Sequence, residues 1–169
     1  VSDTSGEAFY LRDEERGHFW SPTPLPSRGA TAYVSRHGFG YSVFEHTERS
    51  IRSELWVYVA LDASIKFMVL KVRNESGRAR KLSATGYVEW VLGDLRPKST
   101  MHVVTELDPA SGAVFARNSY NTEFGGRVAF LDLGGRQTAW TADRTEFLGR
   151  NGAPDRPAGL DREHQMQGA

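Results

Sequence analysis

Alternation of apolar and polar residues over residues 51–61 is the feature that most constrains the fold. Every second position on one side is apolar, with one serine among them: Ile51, Ser53, Leu55, Val57 and Val59. A period of two residues is that of a β-strand, because successive side chains point to opposite faces. The pattern breaks at 62–64 and resumes over 65–74. The two segments therefore predict a long antiparallel hairpin.

Two glycines flanked by aromatic residues mark a junction earlier in the chain, in the sequence RHGFGY at 36–41. Gly38 and Gly40 lack a Cβ atom, so the backbone there can adopt a positive φ or allow a neighbouring group to approach closely. Phe39, Tyr41 and Phe44 supply bulk around them. The rest of the chain is expected to form a β-sandwich arranged around this segment.

Short strand-like segments dominate the remaining chain. Further strands are predicted at residues 9–12, 31–35, 82–91, 101–107, 113–117, 127–133 and 138–141. Segment 82–91 follows the hairpin directly, which predicts a three-stranded meander. A proline-rich loop at 22–26 is expected on the surface. One helical turn is predicted, with Asp143 as its N-cap, Glu146 completing a capping box and Gly149 closing it.

These elements predict an all-β fold, an antiparallel two-sheet sandwich with at most short helical turns. A chain of 169 residues is long enough for one domain with its own core. The sandwich domain is assigned to residues 1–153, and 154–169 is expected to be an irregular tail. The chain begins without methionine and ends in polar residues, so we expect it to be a fragment of a larger polypeptide.

Charge and cysteine content exclude several classes of function. The chain has 21 basic and 21 acidic residues without a charged block, which argues against nucleic acid or an anionic membrane as a partner. It has no cysteine, which excludes disulfides and thiolate metal sites and favours a reducing cytoplasm. No apolar run reaches the roughly 20 residues of a membrane-spanning helix. We therefore expect a cytoplasmic domain with a neutral partner.

Five ordered motifs carry a resemblance to a known family. They are YLRDE at 10–14, WSPTPLP at 20–26, RHGFGY at 36–41, YVEWVLG at 87–93 and DRTEFLGRNG at 143–152. Together they resemble the N-terminal sandwich domain of glycoside hydrolase family 94, the inverting β-glucoside phosphorylases. The chain is most similar to the phosphorylase-like region of cyclic β-1,2-glucan synthases.

The resemblance implies a galactose-mutarotase-like super-sandwich and a partner that the chain itself lacks. In this family the general-acid aspartate and most phosphate ligands belong to a following (α/α)6 barrel. The resemblance therefore implies a non-catalytic domain that packs on that barrel, shapes the active site and supports a homodimer. The parent is expected to act on a β-glucan or β-glucoside with inorganic phosphate, and no cofactor is expected. For a synthase parent, attachment to the inner membrane is an alternative to a purely cytoplasmic location.

Candidate carbohydrate-contacting residues are aromatic, basic or amide side chains, together with two strand carboxylates. They are Arg36, His37, Tyr41, Glu89, His102, Glu106, Asn118 and Tyr120. Glu89 and Glu106 can alternatively be sheet carboxylates paired with arginine or lysine. Aromatic platforms for sugar rings are Trp20, Trp56, Trp90, Trp140 and Tyr120, with core or interdomain packing as the alternative for the tryptophans.

Metal and nucleotide sites find no support in the sequence. His37, Glu45 and His46 match no known metal-ligand spacing, and alternation places Glu45 and His46 on opposite faces of a strand. The Gly38–Gly40 segment lacks the third glycine and the helix of a nucleotide-binding fingerprint. No metal site is therefore predicted.

An interdomain interface is predicted around the capped helical turn and the loop at 118–126. Phe147 and Leu148 are apolar in a polar region, so we expect an exposed apolar patch formed by them with Asp143 and Arg144. Arg144 is expected either to cross to the partner or to fold back on its own sheet, with a slight preference for the latter. Two other functions stay open for the chain, namely an independent carbohydrate-binding module and a mutarotase-like epimerase.

Overall fold

The computed structural model describes residues 6–135 and 137–161. This part of the chain contains ten strands: β1 Glu7–Asp13, β2 His18–Trp20, β3 Tyr33–Gly38, β4 Tyr41–Glu48, β5 Ile51–Val59, β6 Lys66–Asn74, β7 Leu82–Val88, β8 Val104–Leu107, β9 Val114–Arg117 and β10 Val128–Leu131. Three short helices are α1 Arg96–Ser99, α2 Arg144–Leu148 and α3 Ala158–Asp161, and a 3-10 turn covers Thr100–His102. None of these helices is long enough to cross a membrane.

All strand pairs are antiparallel, and the strands form three sheets. Their orders are β2-β1-β7, β3-β4-β5-β6 and β10-β9-β8. The prediction of an all-β antiparallel domain with short helical turns is confirmed. The strands are divided among three sheets, where the sequence predicts two.

The four-stranded sheet contains the predicted hairpin and the glycine junction. Strands β5 and β6 pair from Ile51↔Asn74 to Val59↔Lys66. At the β3–β4 turn Gly40 has a φ of 78°. The β4–β5 turn places two non-glycine residues at positive φ, Arg49 at 48° and Ser50 at 64°, as a primed hairpin turn requires. Arg80 Nη1 donates to the Arg49 carbonyl oxygen at 3.1 Å, which braces this turn.

The predicted meander is wrong, because β7 does not pair with β6. Strand β7 crosses to another sheet and pairs with β1 along its whole length, from Glu7↔Val88 to Asp13↔Leu82. The segment between β6 and β7 begins with a turn in which Asn74 Oδ1 accepts from the Ser76 N–H at 3.0 Å. Alternation identifies a strand but not its partner, and here the partner lies far away in sequence.

The three-stranded sheet around β1 has a core on both of its faces. On one face Leu11 and Trp20 pack with Ile51 of the four-stranded sheet. On the other face Ala8 and Tyr10 pack with α2 and α3 through three buried side chains, Phe147, Leu148 and Leu160. Strand β1 is therefore the central element of the described fold.

A buried ion pair also ties β1 to the four-stranded sheet. Arg80 Nη2 lies 2.6 Å from Asp13 Oδ2, and both side chains are almost fully buried. Burial alone would raise the pKa of Asp13, but the hydrogen bond and the charge of Arg80 outweigh it and lower that pKa. The same guanidinium braces the β4–β5 turn, so one arginine connects two sheets.

Several local predictions differ from the structure. No strand forms at 138–141, and α1, the 3-10 turn and α3 were not predicted. Pro22 of the proline-rich loop is fully buried rather than on the surface. In the tail, Ala158–Asp161 is helical rather than irregular, since the buried Leu160 anchors it against Tyr10 and Phe147. Residues 162–169 lie outside the described part of the chain.

Candidate functional site

An open cleft of about 940 Å³ lies between the α1 region and the loop that connects β9 to β10. It brings together three predicted residues, His102, Asn118 and Tyr120. Among its other lining residues, Lys98 and Arg127 were not predicted, whereas Phe124 lies in the loop 118–126 that was assigned to the interdomain interface. Phe124 belongs to the same polar aromatic loop as Tyr120, and that was the only available signal for it.

Two asparagine side chains fix the wall of the cleft. Asn118 Nδ2 and Asn121 Nδ2 both donate to the Leu92 carbonyl oxygen, at 3.0 and 3.3 Å. Asn118 Oδ1 accepts from the Tyr120 N–H, and Asn121 Oδ1 accepts from the Phe124 N–H. Asn118 is buried, and both its amide nitrogen and its amide oxygen form hydrogen bonds within the domain. It therefore positions the loop and does not present its amide to a ligand.

The aromatic residues of this loop project into solvent. Tyr120 is 77% exposed and Phe124 is 53% exposed, although apolar rings are usually mostly buried. The ring centroid of His102 lies 4.5 Å from that of Tyr120, at an interplanar angle of 33°. His102 thus supports the phenol ring from one side. The cleft combines aromatic surface with hydrogen-bonding groups, as small-molecule sites do.

Three other predicted residues lie elsewhere, on the four-stranded sheet. Arg36 forms an ion pair with Glu45, and His37 Nδ1 lies 2.8 Å from Ser42 Oγ. Tyr41 stacks on Trp56. None of the three lines the cleft. The eight predicted residues therefore do not form one site.

Both predicted carboxylates are paired with arginine. Glu89 Oε1 lies 3.7 Å from Arg96 Nη1 and 3.7 Å from Arg144 Nε, and Glu89 Oε2 accepts from the Tyr87 hydroxyl. Burial, followed by the contact with Glu89, raises the pKa of Tyr87. Glu106 Oε2 lies 2.5 Å from Arg117 Nη2. The alternative of a sheet carboxylate paired with arginine accounts for Glu106. The strand predicted over 82–91 ends at Val88, so Glu89 lies outside the sheet and is held by arginines of α1 and α2.

The predicted apolar interface at α2 is wrong for its two central residues. Phe147 is 5% exposed and Leu148 is 1% exposed, because both are enclosed by the domain's own core. The Phe147 ring stacks on Tyr87 at 5.1 Å and meets Tyr10 edge-on at 6.0 Å. Asp143 is exposed and caps α2 by accepting from the Thr145 N–H, as predicted. Arg144 folds back toward Glu89, which was the preferred alternative.

The residues weighed as metal ligands are separated by the sheet. Glu45 pairs with Arg36 and Arg52 on the outer face, whereas His46 is buried on the inner face. Within residues 6–135 and 137–161, no cluster of three histidine, aspartate or glutamate side chains has a metal-binding geometry.

A buried network around Glu48 was not predicted. Glu48 Oε1 lies 3.1 Å from His18 Nε2, and Glu48 Oε2 accepts from the Ala30 N–H and lies 3.4 Å from His46 Nε2. Tyr33 stacks on His46 at 3.7 Å. Strand alternation places His46 and Glu48 together on the inner face of β4, and that core-facing charge was the signal that sequence reasoning overlooked. The network fastens the loop before β3 to the sheet.

Comparison with known proteins identifies relatives. A family model described as "Glycosyl hydrolase 94, supersandwich domain" matches residues 1–169. The cyclic beta-(1,2)-glucan synthase NdvB of Rhizobium meliloti (strain 1021) is 38% identical over 153 residues, which are 90% of this chain and 5% of that protein. The solabiose phosphorylase of Paenibacillus borealis is 27% identical over 161 residues, 91% of this chain and 21% of that protein. An N,N'-diacetylchitobiose phosphorylase of Vibrio furnissii is 30% identical over 105 residues, 60% of this chain and 13% of that protein. The chain thus spans only a small part of each of these relatives.

Proposed function

The chain belongs to the glycosyl hydrolase 94 supersandwich family, and from that premise we propose a non-catalytic, carbohydrate-associated role. The parent is a β-glucan phosphorylase or a cyclic β-1,2-glucan synthase. In it, this domain packs on an (α/α)6 catalytic domain and forms one wall of the active site. Inorganic phosphate then reaches the site through the catalytic domain. The names of the similar proteins support this class of substrate.

The observation that carries the proposal is the cleft with its exposed tyrosine. Tyr120 is held on a loop fixed by two asparagines and supported by His102, yet most of its side chain is in solvent. An aromatic ring that is fixed and exposed loses little conformational entropy when a ligand stacks on it. Its face can stack on the apolar face of a pyranose ring, while Lys98 and Arg127 can donate to hydroxyl groups.

A non-catalytic role is supported by the state of the carboxylates. A glycosidase needs two carboxyl groups facing each other across the glycosidic bond, whereas a phosphorylase needs one acid because phosphate is the nucleophile. Neither Glu89 nor Glu106 lines the cleft, and each is held by arginine. Glu123 and Asp94 do line it, but both are exposed to solvent.

We place the packing surface for the catalytic domain on the outer face of β8–β10, because the apolar residues of α2 are buried in the domain's own core. The register places four apolar residues on this face, with the Glu106–Arg117 ion pair among them: Val104, Val128, Phe115 and Phe130. Three of the four are about half exposed, Val104 59%, Val128 55% and Phe130 45%. Val128 also lines the cleft, so the apolar face is continuous with the candidate site. A catalytic domain seated on this face would cover exposed apolar area and close the open side of the cleft.

The test uses the purified domain and the β-1,2-linked glucose disaccharide. We expect weak binding, with amide resonance shifts confined to residues 118–127 and 98–102, and no glucose 1-phosphate when phosphate is added. Tyr120→Ala should abolish the shifts, whereas the matched variant Tyr58→Ala, on a different sheet, should leave them unchanged. Turnover by the domain alone would overturn the non-catalytic role, and shifts that survive Tyr120→Ala would overturn the cleft assignment.

A further inference from the structure

The outer face of the four-stranded sheet carries a row of aromatic residues that the cleft does not explain. The register aligns Gly38, Tyr41, Tyr58 and Phe67 across β3, β4, β5 and β6. Tyr41, Tyr58 and Phe67 are 44%, 37% and 42% exposed. The opposite face of this sheet holds the core residues Ile51 and Leu55. An antiparallel sheet with one buried face usually carries polar residues on the other. Packing within the described fold therefore does not explain why this row is aromatic.

The rings of this face are held in place by their neighbours. Tyr41 and Trp56 lie 5.6 Å apart at 26°, and Tyr58 and Phe67 lie 5.3 Å apart at 26°. A Cβ atom on Gly38 would lie 2.4 Å from two ring carbons of Tyr41. Glycine at this position therefore lets the Tyr41 ring lie across β3. The rings are ordered without being buried, which reduces the entropic cost of stacking a ligand on them.

Polar groups in the next rows of the sheet are already paired with one another. Glu54 accepts from Trp56 Nε1 and from Lys71 Nζ, and Lys71 Nζ lies 5.2 Å from the centre of the Trp56 ring. Glu45 binds both Arg36 and Arg52. These groups are three cations and two carboxylates, so they carry only one net positive charge, and their outer lone pairs and N–H groups can bind hydroxyls. The charge pattern thus fits a neutral ligand rich in hydroxyl groups.

The dimensions of the row fit a chain rather than a single sugar. Neighbouring strands lie about 4.8 Å apart, so three rings on adjacent strands extend over roughly 10 Å. This length suits a short oligosaccharide lying across the strands. Few exposed aliphatic side chains lie beside the rings. In the neighbouring rows of the sheet they are Val34 and Val69.

We propose that the outer face of β3–β6, centred on Tyr41, Tyr58 and Phe67, is a second binding surface for a β-glucan chain. It is separate from the cleft, with which it shares no residue. The choice of ligand rests on the proposed function, because a glucan polymer extends beyond the active site and can contact a second surface. Such a surface holds the polymer near the enzyme and takes no part in the chemistry.

The experiment is a calorimetric titration of the purified domain with a long linear β-1,2-gluco-oligosaccharide. We expect Tyr58→Ala, and more strongly the double variant Tyr41→Ala/Tyr58→Ala, to weaken binding about tenfold or more, equivalent to roughly 1.4 kcal/mol. Tyr58→Phe keeps the ring and should retain most of the affinity. Tyr120→Ala should remove only the contribution of the cleft to this binding. Leu25→Ala, at an exposed side chain of the proline-rich loop outside both surfaces, is the control and should leave the binding unchanged. Equal melting temperatures establish that the variants are folded.

Two results would overturn the second surface and leave the proposed function standing. One is loss of oligosaccharide binding in Tyr120→Ala but not in Tyr58→Ala. The other is no binding of the long oligosaccharide at all, while the disaccharide still shifts the cleft resonances. A third possibility is that the face binds a second copy of the chain, which sedimentation velocity tests. A dimer that dissociates on Tyr58→Ala would assign the face to a second copy of the chain and would also overturn the proposal.

Discussion

Glu48 shows how a single buried carboxylate organises its surroundings. Its side chain is 3% exposed and contacts His18, His46 and the Ala30 N–H. Burial by itself would raise the pKa of Glu48, but the Ala30 N–H and the two histidines outweigh it and lower that pKa. The space beside it is tight, since a Cβ atom on Gly29 would lie 2.7 Å from Glu48 Oε2. Ionised Glu48 thus joins β2, β4 and the loop before β3.

The lowered pKa gives the first prediction a definite sign. Because the folded pKa of Glu48 lies below its unfolded value, its contribution to stability is complete above about pH 4.5 and is lost as pH falls through the folded pKa. We expect Glu48→Gln to lower the free energy of unfolding by about 1–3 kcal/mol at pH 7. The difference from the unchanged chain should shrink below about pH 4.

Urea unfolding at pH 7, 5 and 3.5 measures this difference. Glu106→Gln, which removes a partly exposed pair with Arg117, is the control and should cost less than about 1 kcal/mol. A Glu48→Gln difference that grows toward acid would contradict the assigned sign.

At the scale of elements, α2 packs on one face of the sheet around β1. It is only five residues long, Arg144–Leu148, so its own hydrogen bonds cannot stabilise it in isolation. Its stability comes from the Asp143 cap and from Phe147 and Leu148, which fill the outer side of the sheet against Tyr10 and Tyr87. The helix α3 adds Leu160 to the same cluster. Apolar residues that look like an interface in sequence here complete the core of the domain.

Truncation of Phe147 tests this role. We expect Phe147→Ala to lower the free energy of unfolding by about 3–5 kcal/mol, since a buried ring leaves a cavity. Phe39→Ala, at the exposed tip of the β3–β4 hairpin, is the control and should change it by less than about 0.5 kcal/mol. Chemical unfolding followed by circular dichroism provides the measurement. Equal stabilities of the two variants would mean that α2 is not part of the core.

At the scale of the whole molecule, the sheets differ in how many side chains they bury. Strand β5 contributes three buried side chains to the centre, Ile51, Ser53 and Leu55. Strand β9, the middle strand of the β8–β10 sheet, contributes one, Ala116, and the valine and phenylalanine side chains beside it stay exposed. This sheet also carries the proposed packing surface next to the cleft. The end of the domain that carries the proposed site is thus the less densely packed end.

Hydrogen exchange should reveal the difference. Regions with few buried contacts open locally at lower free energy, so amides of β9 should have protection factors at least about tenfold smaller than those of β5. The two strands are both central in their sheets, which makes them a matched pair. Exchange of the purified domain, read by mass spectrometry after proteolysis or by NMR, gives both values. Equal protection would contradict the uneven packing.

The sequence by itself determined the local structure and the class of the fold. Alternation over residues 51–74 predicts the β5–β6 hairpin, because the period of side-chain orientation is a property of the strand itself. The cap of α2 is readable from Asp143 for the same local reason. The five motifs identify the family, which the comparison confirms. Tyr120 and His102 are also recognisable as candidates, since an aromatic residue in a long polar loop stands out in the sequence.

Only the tertiary structure decided which strands pair and which apolar residues are free. Strand β7 pairs with β1, and no periodicity within either segment specifies that partner. Phe147 is buried and Tyr58 is exposed, although both are aromatic residues in amphipathic segments. Burial depends on what packs above a residue, and that is set by elements distant in sequence, as α3 is from β1. Local patterns specify orientation within an element, whereas the docking of elements determines which surfaces remain for a ligand.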